Sequence, residues 1–411
     1  MTKLILSMVG VAATSIVVIP QVADAATGRI ITGADSGSGG PLVKAFASRT
    51  QTNVASFFPY TPSFSGGVRV AAGDVNGDGA TDIITGSGPG AAHVKVFSGR
   101  DQSELRSFLP YDAGFAGGVF VAAGDVDGDG FDEIVTGTDA GTRPHVKVFD
   151  GRTGSELQSF FAYGAGFSGG VSVATGDING DGYADIITGS GPGAGSHVKV
   201  FDGVSHAEIR SFFAYDAAFT GGVFVGGGDV NGDGFADIVT GSGAGAGPHV
   251  KVFDGRSGSE LHSFFPYSAS FSGGVRVASG DLDGDGRAEI LTASGGGVTS
   301  QVRIFDGLDL KETAKFLAYA PTFTNGVFVG AASVKAPRLE IAAGRLGEGI
   351  QLQWPSGCLC ELEANTDAAD PRGWSVLEVR TVDEGNRVGL LLPAVQKLQF
   401  FRLKCDDQAV R

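Results

Sequence analysis

The stretch from Phe64 to Tyr111 decides the fold because it recurs along the chain: FSGGVRVAAGDVNGDGATDIITGSGPGAAHVKVFSGRDQSELRSFLPY. Further copies start at Phe115, Phe167, Phe219 and Phe271, and a divergent sixth copy starts at Phe323, which gives a period of 51 to 52 residues. Each copy contains four short runs rich in β-branched and aromatic residues, separated by Gly, Asp, Ser or Pro, and such runs are typical of strands. Four strands in a repeat of this length predict one blade of a β-propeller. A linear solenoid is the structural alternative.

The two ends of the repeat region complement each other. The chain enters in mid-repeat at residues 29–33, so the first copy lacks its first strand, whereas residues 326–329 form a strand without partners at the other end. Pairing these two segments would complete the first blade, close the ring and remove open sheet edges. The sequence therefore predicts an all-β fold with a propeller of about six four-stranded blades over residues 28–345. A strand-like run at residues 339–343 leaves seven blades open.

Composition and the N-terminus restrict the partners and the location. The chain carries 30 Lys and Arg against 45 Asp and Glu, a net charge of −15, whereas nucleic acid requires a concentrated basic surface. Residues 1–25 combine Lys3, an apolar run over residues 4–19 and the triplet Ala23-Asp24-Ala25, which is the pattern of a cleaved signal peptide. An uncleaved anchor is the alternative, but the apolar run is shorter than a membrane span. We therefore expect a secreted or cell-surface chain that does not bind nucleic acid and has no membrane span once mature.

A nine-residue acidic loop separates the first two strands in five of the copies. Oxygen-bearing side chains lie at loop positions 1, 3, 5 and 9, and glycines lie at positions 4 and 6. Alternating acidic positions on a tight, glycine-containing turn direct oxygens inward, as a hard cation such as calcium requires. We predict about five structural Ca²⁺ ions, bound by Asp74, Asn76, Asp78 and Asp82; Asp125, Asp127, Asp129 and Glu133; Asp177, Asn179, Asp181 and Asp185; Asp229, Asn231, Asp233 and Asp237; and Asp281, Asp283, Asp285 and Glu289.

The repeat, from its F-x-G-G-V start through the acidic loop to G-S-G-P-G, resembles the FG-GAP or VCBS repeat of integrin α-subunits and of many secreted bacterial proteins. An EF-hand is excluded because position 12 of each loop is Thr instead of Glu. The resemblance implies a propeller with calcium in the loops on one rim. It adds as ligands the backbone carbonyls at loop position 7, namely those of Ala80, Phe131, Tyr183, Phe235 and Arg287. In the sixth copy Ser333 to Pro337 occupy the loop position, and we expect no calcium there.

Other recurring or irregular side chains have structural explanations beside functional ones. Four histidines share one strand position: His93, His145, His197 and His249. Equivalent positions lie around the ring and cannot converge on one ion, so we expect a structural role. The tyrosines that recur from Tyr60 to Tyr319 are expected to pack between blades. Arg69 and Arg276 break the symmetry of the innermost strand near the channel mouth, where they could meet an anionic ligand, be solvated or pair with loop acids.

The repeat stops near residue 347, and about five strand-like runs follow. They predict a small β-sandwich-like domain at residues 346–411, which resembles β-rich modules appended to secreted bacterial repeat proteins. All three cysteines, Cys358, Cys360 and Cys405, lie in this segment. A Cys-x-Cys pair is too constrained to bridge itself comfortably, so Cys405 is expected to pair with Cys358 or Cys360 and to leave one thiol over.

The sequence contains no P-loop and no His-Glu-x-x-His zinc helix. We therefore predict a non-enzymatic extracellular module that binds, adheres to or scaffolds a protein or a glycan. The alternative is a polysaccharide-active enzyme, a lyase or hydrolase on a propeller scaffold. Such an enzyme would need an asymmetric cluster of acid, base and arginine in the channel.

Overall fold

The computed structural model describes residues 28–37, 39–112 and 114–334, and the backbone of seven strands between residues 340 and 405. All regular elements in these segments are β-strands, and no helix in them is long and apolar enough to cross a membrane. Residues 28–334 form one compact unit, and the strands from Glu340 onward belong to a second one. The predicted signal peptide lies outside the described residues.

The first unit consists of six four-stranded antiparallel sheets, which we number as blades 1 to 6. Blade 1 contains β1 (Arg29–Ala34), β2 (Val43–Ala47) and β3 (Asn53–Phe57). Blade 2 contains β4 (Val68–Gly73), β5 (Asp82–Ser87), β6 (Val94–Phe97) and β7 (Glu104–Phe108). Blade 3 contains β8 (Val119–Gly124), β9 (Glu133–Thr138), β10 (His145–Phe149) and β11 (Glu156–Phe161).

The remaining blades repeat the same order, from the innermost to the outermost strand. Blade 4 contains β12 (Val171–Gly176), β13 (Asp185–Ser190), β14 (His197–Phe201) and β15 (Glu208–Phe213). Blade 5 contains β16 (Val223–Gly228), β17 (Asp237–Ser242), β18 (Val250–Phe253) and β19 (Glu260–Phe264). Blade 6 contains β20 (Val275–Gly280), β21 (Glu289–Ser294), β22 (Gln301–Phe305) and β23 (Glu312–Leu317), and β24 (Val327–Ala332) follows it.

Strand β24 closes the ring. It completes blade 1 by pairing antiparallel with β1, so that Val327 lies opposite Ala34 and Ala332 lies opposite Arg29. The innermost strands contact one another in the order β4, β8, β12, β16, β20, β24 and back to β4. The prediction of a closed six-bladed propeller is therefore confirmed, and the solenoid alternative is wrong. Residues 340–343, which had left a seventh blade open, pair instead with Ile350–Pro355 in the second unit.

Paired phenylalanines join each blade to the next. One ring comes from the outermost strand and the other from the end of the third strand of the following blade, with ring centroids 4.7–5.1 Å apart. The pairs are Phe57–Phe97, Phe108–Phe149, Phe160–Phe201, Phe212–Phe253, Phe264–Phe305 and Phe316–Phe46. Aromatic pairs in a tilted or edge-on geometry stabilise an interface by more than the burial of their apolar area alone. The same pair therefore stabilises each of the six blade interfaces in the same way.

The recurring tyrosines make a second set of contacts between blades. Tyr111 and Tyr319 are buried and the other four are half-buried. The hydroxyl of each donates to a backbone carbonyl of the next blade. The Tyr60 hydroxyl donates to the carbonyl of His93 at 2.7 Å, and the Tyr319 hydroxyl closes the series on Leu42 at 2.8 Å. The packing role predicted for the tyrosines is confirmed.

The second unit is described by its strands alone. These are β25 (Glu340–Ala343), β26 (Ile350–Pro355), β27 (Cys360–Asn365), β28 (Ser375–Val376), β29 (Val382–Asp383), β30 (Arg387–Leu392) and β31 (Phe400–Cys405). They form one sheet in the order β25-β26-β30-β29 and another in the order β28-β27-β31. Cys360 lies directly opposite Cys405 in the β27–β31 pair, whereas Cys358 lies outside the described residues.

Candidate functional site

Each predicted calcium loop joins the innermost strand of a blade to its second strand, at the same end of blades 2 to 6. Position 1 directly follows the innermost strand, and position 9 is the first residue of the second strand. The glycines at positions 4 and 6 have positive φ, for instance 77° at Gly180 and 94° at Gly182, a backbone conformation that glycine adopts without steric cost. The fold therefore gathers the nine positions of each loop into one tight turn.

Backbone amides orient the acidic side chains of these turns. In blade 4, Asp177 accepts hydrogen bonds from the amides of Gly180 at 2.7 Å and Gly182 at 2.9 Å. Asn179 Oδ1 accepts from the amide of Asp181 at 2.8 Å. The bond from the position-6 amide to the position-1 carboxylate recurs in all five loops at 2.9–3.2 Å. The side-chain oxygens are thus held in place by the loop itself.

The carboxylate at position 9 anchors each loop to its sheet and is buried. Asp185 accepts hydrogen bonds from the amides of Ile178 at 2.9 Å and Gly203 at 3.2 Å. Burial is the main cause that raises the pKa at this position, to about 6 for Asp82, Asp185 and Asp237, about 7 for Glu289 and about 8 for Glu133. Acidic neighbours raise these pKa values further. A positive charge placed among the loop carboxylates would stabilise their ionised forms.

In each of two loops, three carboxylate oxygens lie close enough together to bind a single cation. Carboxylate oxygens of Asp125, Asp127 and Glu133 lie within 4.8 Å of one another, and so do those of Asp281, Asp283 and Asp285. These are the loops with Asp at position 3, whereas the other three have Asn there. An all-oxygen set that includes several carboxylates fits a hard cation such as calcium.

Arginines lie beside the position-5 carboxylates of three loops. Arg100 Nε lies 2.9 Å from Asp78 Oδ2, Arg152 Nη2 lies 2.6 Å from Asp129 Oδ2, and Arg287 pairs with Asp285. The side chains of these pairs are 30–48% exposed, and pairs so open to solvent add little stability.

Sequence reasoning missed an acidic residue beside the loops. Asn179 Nδ2 donates to Asp202 at 2.7 Å, and Asn231 Nδ2 donates to Asp254 at 3.0 Å, which turns the amide oxygen at position 3 toward the loop. Both acids follow the third strand of their blade. The signal was present in the sequence as a recurring Asp at this place: Asp150, Asp202, Asp254 and Asp306.

Neighbouring loops are hydrogen-bonded to one another around the ring. In blades 3 to 6 the amide at loop position 8 donates to the carbonyl oxygen of position 1 in the preceding blade. These bonds are Asp132–Asp74 (3.0 Å), Ala184–Asp125 (2.8 Å), Ala236–Asp177 (2.7 Å) and Ala288–Asp229 (2.6 Å). The amide of Val334 continues the series with a bond to Asp281 at 2.6 Å. The five loops therefore form one connected chain.

The position-7 residues tie the loops together in a different way. Their amides donate to the position-5 carboxylates at 2.8–3.0 Å, and these residues are Ala80, Phe131, Tyr183, Phe235 and Arg287. In blades 3 to 6 their side chains cover the position-4 glycine of the preceding loop: Phe131 on Gly77, Tyr183 on Gly128, Phe235 on Gly180 and Arg287 on Gly232. Their carbonyls stay a prediction as calcium ligands.

Three phenylalanines from alternate innermost strands meet at the axis of the propeller. The ring centroids of Phe120, Phe224 and Phe328 are 6.1–6.3 Å apart. The guanidinium carbon of Arg69 lies 5.3 Å from the ring centroid of Phe120 and 4.9 Å from that of Phe328. The guanidinium carbon of Arg276 lies 5.4 Å from the Phe224 centroid and 4.9 Å from the Phe328 centroid. Aromatic rings therefore fill this end of the channel, and both cations rest on them.

Both arginines are also ion-paired across a blade interface. Arg69 pairs with Asp139 and Arg276 pairs with Asp35, and each aspartate directly follows the second strand of the next blade. Their side chains are no more than 16% exposed. Of the roles that the sequence left open for these arginines, which were binding of an anionic ligand, solvation and pairing with loop acids, the structure favours the pairing.

Comparisons with known proteins agree with the repeat architecture. A family model described as the FG-GAP-like repeat matches residues 74–136, 125–188 and 229–292. Integrin alpha-V of Gallus gallus is 35% identical to this chain over 101 residues, which make up 23% of this chain and 10% of the integrin. The match thus spans a tenth of that relative's length.

Some solved structures are similar to this chain at low sequence identity. A Bacteroides caccae protein of unknown function has a TM-score of 0.49 and 11% identity, and the alignment covers 74% of this chain and 99% of that one. The rhamnogalacturonan lyase YesW has a TM-score of 0.37 and 16% identity, with 85% of this chain and 66% of the lyase covered.

Proposed function

Because the chain is an FG-GAP-repeat β-propeller, we propose that it works outside the cell as a calcium-stabilised module that binds a protein or a glycan. Its apolar N-terminal run, followed by Ala23-Asp24-Ala25, supports export. The net charge of −15 supports a partner other than nucleic acid.

The state of the channel mouth is the observation that favours binding over catalysis. Arg69 and Arg276 were the asymmetric residues that a polysaccharide-active site would have needed. Each guanidinium is ion-paired to an aspartate and lies over the ring of Phe328. Both are therefore already engaged and are not available to bind an anionic substrate. A catalytic site also needs an acid and a base arranged around a common reacting atom. The channel mouth offers packed phenylalanines in that place.

Calcium is proposed as a structural ion. It would be held by the side chains at loop positions 1, 3, 5 and 9, together with the position-7 carbonyls. A bound cation would neutralise carboxylates whose pKa values burial has raised, and it would fix the connection between the first two strands of each of five blades. With a Kd of about 0.1 mM and about 1 mM calcium, each site would contribute about 1.4 kcal/mol to the free energy of unfolding.

The proposed function is tested by incubating the calcium-loaded protein with neutral polysaccharides, polyuronates and extracellular proteins. Saturable binding without any cleaved product is the expected result. Release of oligosaccharides or of unsaturated uronates would overturn the proposal in favour of a hydrolase or a lyase. Isothermal titration with calcium, after treatment with a chelator, should give about five ions per chain.

A further inference from the structure

Every blade exposes one large apolar side chain at the same place, either the last residue of its outermost strand or the residue directly after it. Thirteen large hydrophobic residues are exposed in the described part of the chain, and six of them occupy this single position: Phe58, Leu109, Phe161, Phe213, Phe265 and Leu317. Hydrophobic residues scattered singly over a surface need no explanation, but a ring of equivalent ones does. Packing of the propeller does not account for them, because the residue before each one makes the phenylalanine contact to the next blade.

In blades 4 and 5 this residue is part of a fixed aromatic platform. His197 lies directly opposite Phe213 in the sheet, and their rings stack with centroids 4.7 Å apart at 22°. His249 and Phe265 stack at 4.5 Å and 15°. Nε2 of each histidine is hydrogen-bonded at 2.8 Å to a serine hydroxyl of the outermost strand, Ser211 or Ser263. A platform that is already ordered loses little conformational entropy when a ligand binds.

A neighbouring loop position decides whether the phenylalanine stays open. In blade 3, the guanidinium carbon of Arg143 lies 3.8 Å from the Phe161 ring centroid and covers the ring. The corresponding residues in blades 4 and 5 are Gly195 and Gly247, and a Cβ on either would lie 3.0 Å from the phenylalanine ring. Phe213 is 55% exposed and Phe265 is 50% exposed. Blades 4 and 5 therefore carry the two open platforms with a stacked histidine.

The platforms carry no unpaired charge. Lys199 Nζ lies 2.6 Å from Glu208 Oε2, and Lys251 Nζ lies 2.7 Å from Glu260 Oε2. Burial lowers the pKa of His197 and of His249, so both imidazoles are neutral at neutral pH. An anionic ligand would find no free cation here and would meet a chain of net charge −15.

We propose that the outer-strand platforms formed by Phe213 with His197 and by Phe265 with His249 bind pyranose rings of an uncharged polysaccharide. The C–H face of a pyranose packs against an open aromatic ring, and the rim of the platform supplies neutral hydroxyl and imidazole groups for hydrogen bonds. A repeated platform suits a repeated ligand, because two weak sites on one polymer bind by avidity. A protein partner would instead require a contiguous surface of about 800 Å² per side, whereas each platform offers one exposed phenylalanine ring backed by one imidazole.

This inference rests on the proposed binding function and adds to it a surface and a class of ligand. The test measures binding of the full calcium-loaded chain to galactomannan, xyloglucan and arabinoxylan, with polygalacturonate as the charged comparison. The variant F213A/F265A removes both platforms, whereas F213W/F265W keeps an aromatic ring at each. L109A/L317A is the matched control because it truncates the same exposed position in blades without an aromatic residue there.

We expect the unmodified chain to bind at least one neutral polymer. F213A/F265A should bind that polymer on the order of tenfold more weakly, whereas F213W/F265W and the control should bind it as tightly as the unmodified chain. Calcium stoichiometry and melting temperature should be the same in all four proteins. Equal binding by F213A/F265A would show that the platforms are not the binding surface, and it would leave the proposed function unchanged. Binding to polygalacturonate alone, or to none of these polymers, would overturn the ligand class. Release of product from any polymer would contradict the proposed function itself.

Discussion

The ring of Tyr183 covers Gly128 in the loop of the preceding blade so closely that a methyl group on Gly128 would overlap Cε1 of the ring. The φ of Gly128 is 78°, and that of Gly130 in the same loop is 89°, but Gly130 has no atom within 4 Å of a Cβ built on it. The two glycines therefore share their backbone conformation and differ in their surroundings.

We predict that G128A destabilises the calcium-loaded protein more than G130A does. Both variants incur about 1–2 kcal/mol for a left-handed alanine, and only G128A also displaces the tyrosine ring. Urea unfolding in excess calcium measures both. In a Y183A background the difference between the two variants should vanish, and a difference that persists would mean that the tyrosine does not set it.

Connected loops should respond to one another. The Asp177 carbonyl accepts the Ala236 amide at 2.7 Å, so the loop of blade 5 is attached to the loop of blade 4. We predict that D177A/D181A removes one of five calcium ions and also weakens a remaining site, because the blade 5 loop loses an ordered support. Calcium titration calorimetry resolves both effects. S333A, outside the five loops, is the control, and four remaining sites of unchanged affinity would show that the loops act independently.

The metal-free protein should become less stable as the pH rises. The buried position-9 carboxyls have pKa values raised to between about 6 and about 8, so the native metal-free chain binds more protons than the unfolded chain above pH 4. Its free energy of unfolding therefore falls as the pH rises from about 4 to about 8.

With calcium present the trend should reverse, because protons compete with the ion for the same carboxylates. Thermal unfolding at pH 5, 6, 7 and 8, with chelator and with calcium, tests this directly. The two melting-temperature curves are expected to diverge toward pH 8. Parallel curves would contradict the assignment of these carboxylates as calcium ligands.

The second unit should contain a disulfide between Cys360 and Cys405. These residues are directly opposite in the antiparallel pair β27–β31, where Cα atoms lie at a separation that a disulfide can span. The backbone register thus selects one of the two pairings that the sequence left open, and it leaves Cys358 as the thiol. Peptide mapping of the protein without reduction should recover the Cys360–Cys405 link, and C358S should not change it. A Cys358–Cys405 link would show that the register is wrong.

Truncation after Val334 should leave a folded propeller. Strand β24 ends at Ala332 and already completes blade 1. We expect cooperative, calcium-dependent unfolding in residues 28–334. The shorter fragment 28–326 lacks β24, so blade 1 loses its innermost strand and the ring opens. Equal cooperativity in both fragments would mean that β24 is not the closing element.

The sequence alone determined the propeller, the way in which its ends meet and the position of the acidic loops. It could do so because every blade contacts the next through the same positions, so one period of 51 to 52 residues specifies six nearly equal interfaces. The same comparison of copies shows that the first copy lacks the strand that should precede Arg29 and that the strand at Val327 has no partners in its own copy. Apolar alternation and turn residues are properties of short segments, so they can be recognised in the sequence without knowledge of the tertiary structure.

Only the tertiary structure decided which side chains from separate turns meet. Arg69 contacts Asp139 of the next blade, 70 residues away, because the arrangement of the blades brings the two side chains together. Asn179 contacts Asp202 because the antiparallel sheet of blade 4 places their two turns at the same end. The exposure of Phe213 was equally hidden, since its neighbour Phe212 is the same residue type and points into the blade interface. The type of a residue indicates which environments its side chain favours, whereas the arrangement of strands and blades in space determines which side chains it contacts.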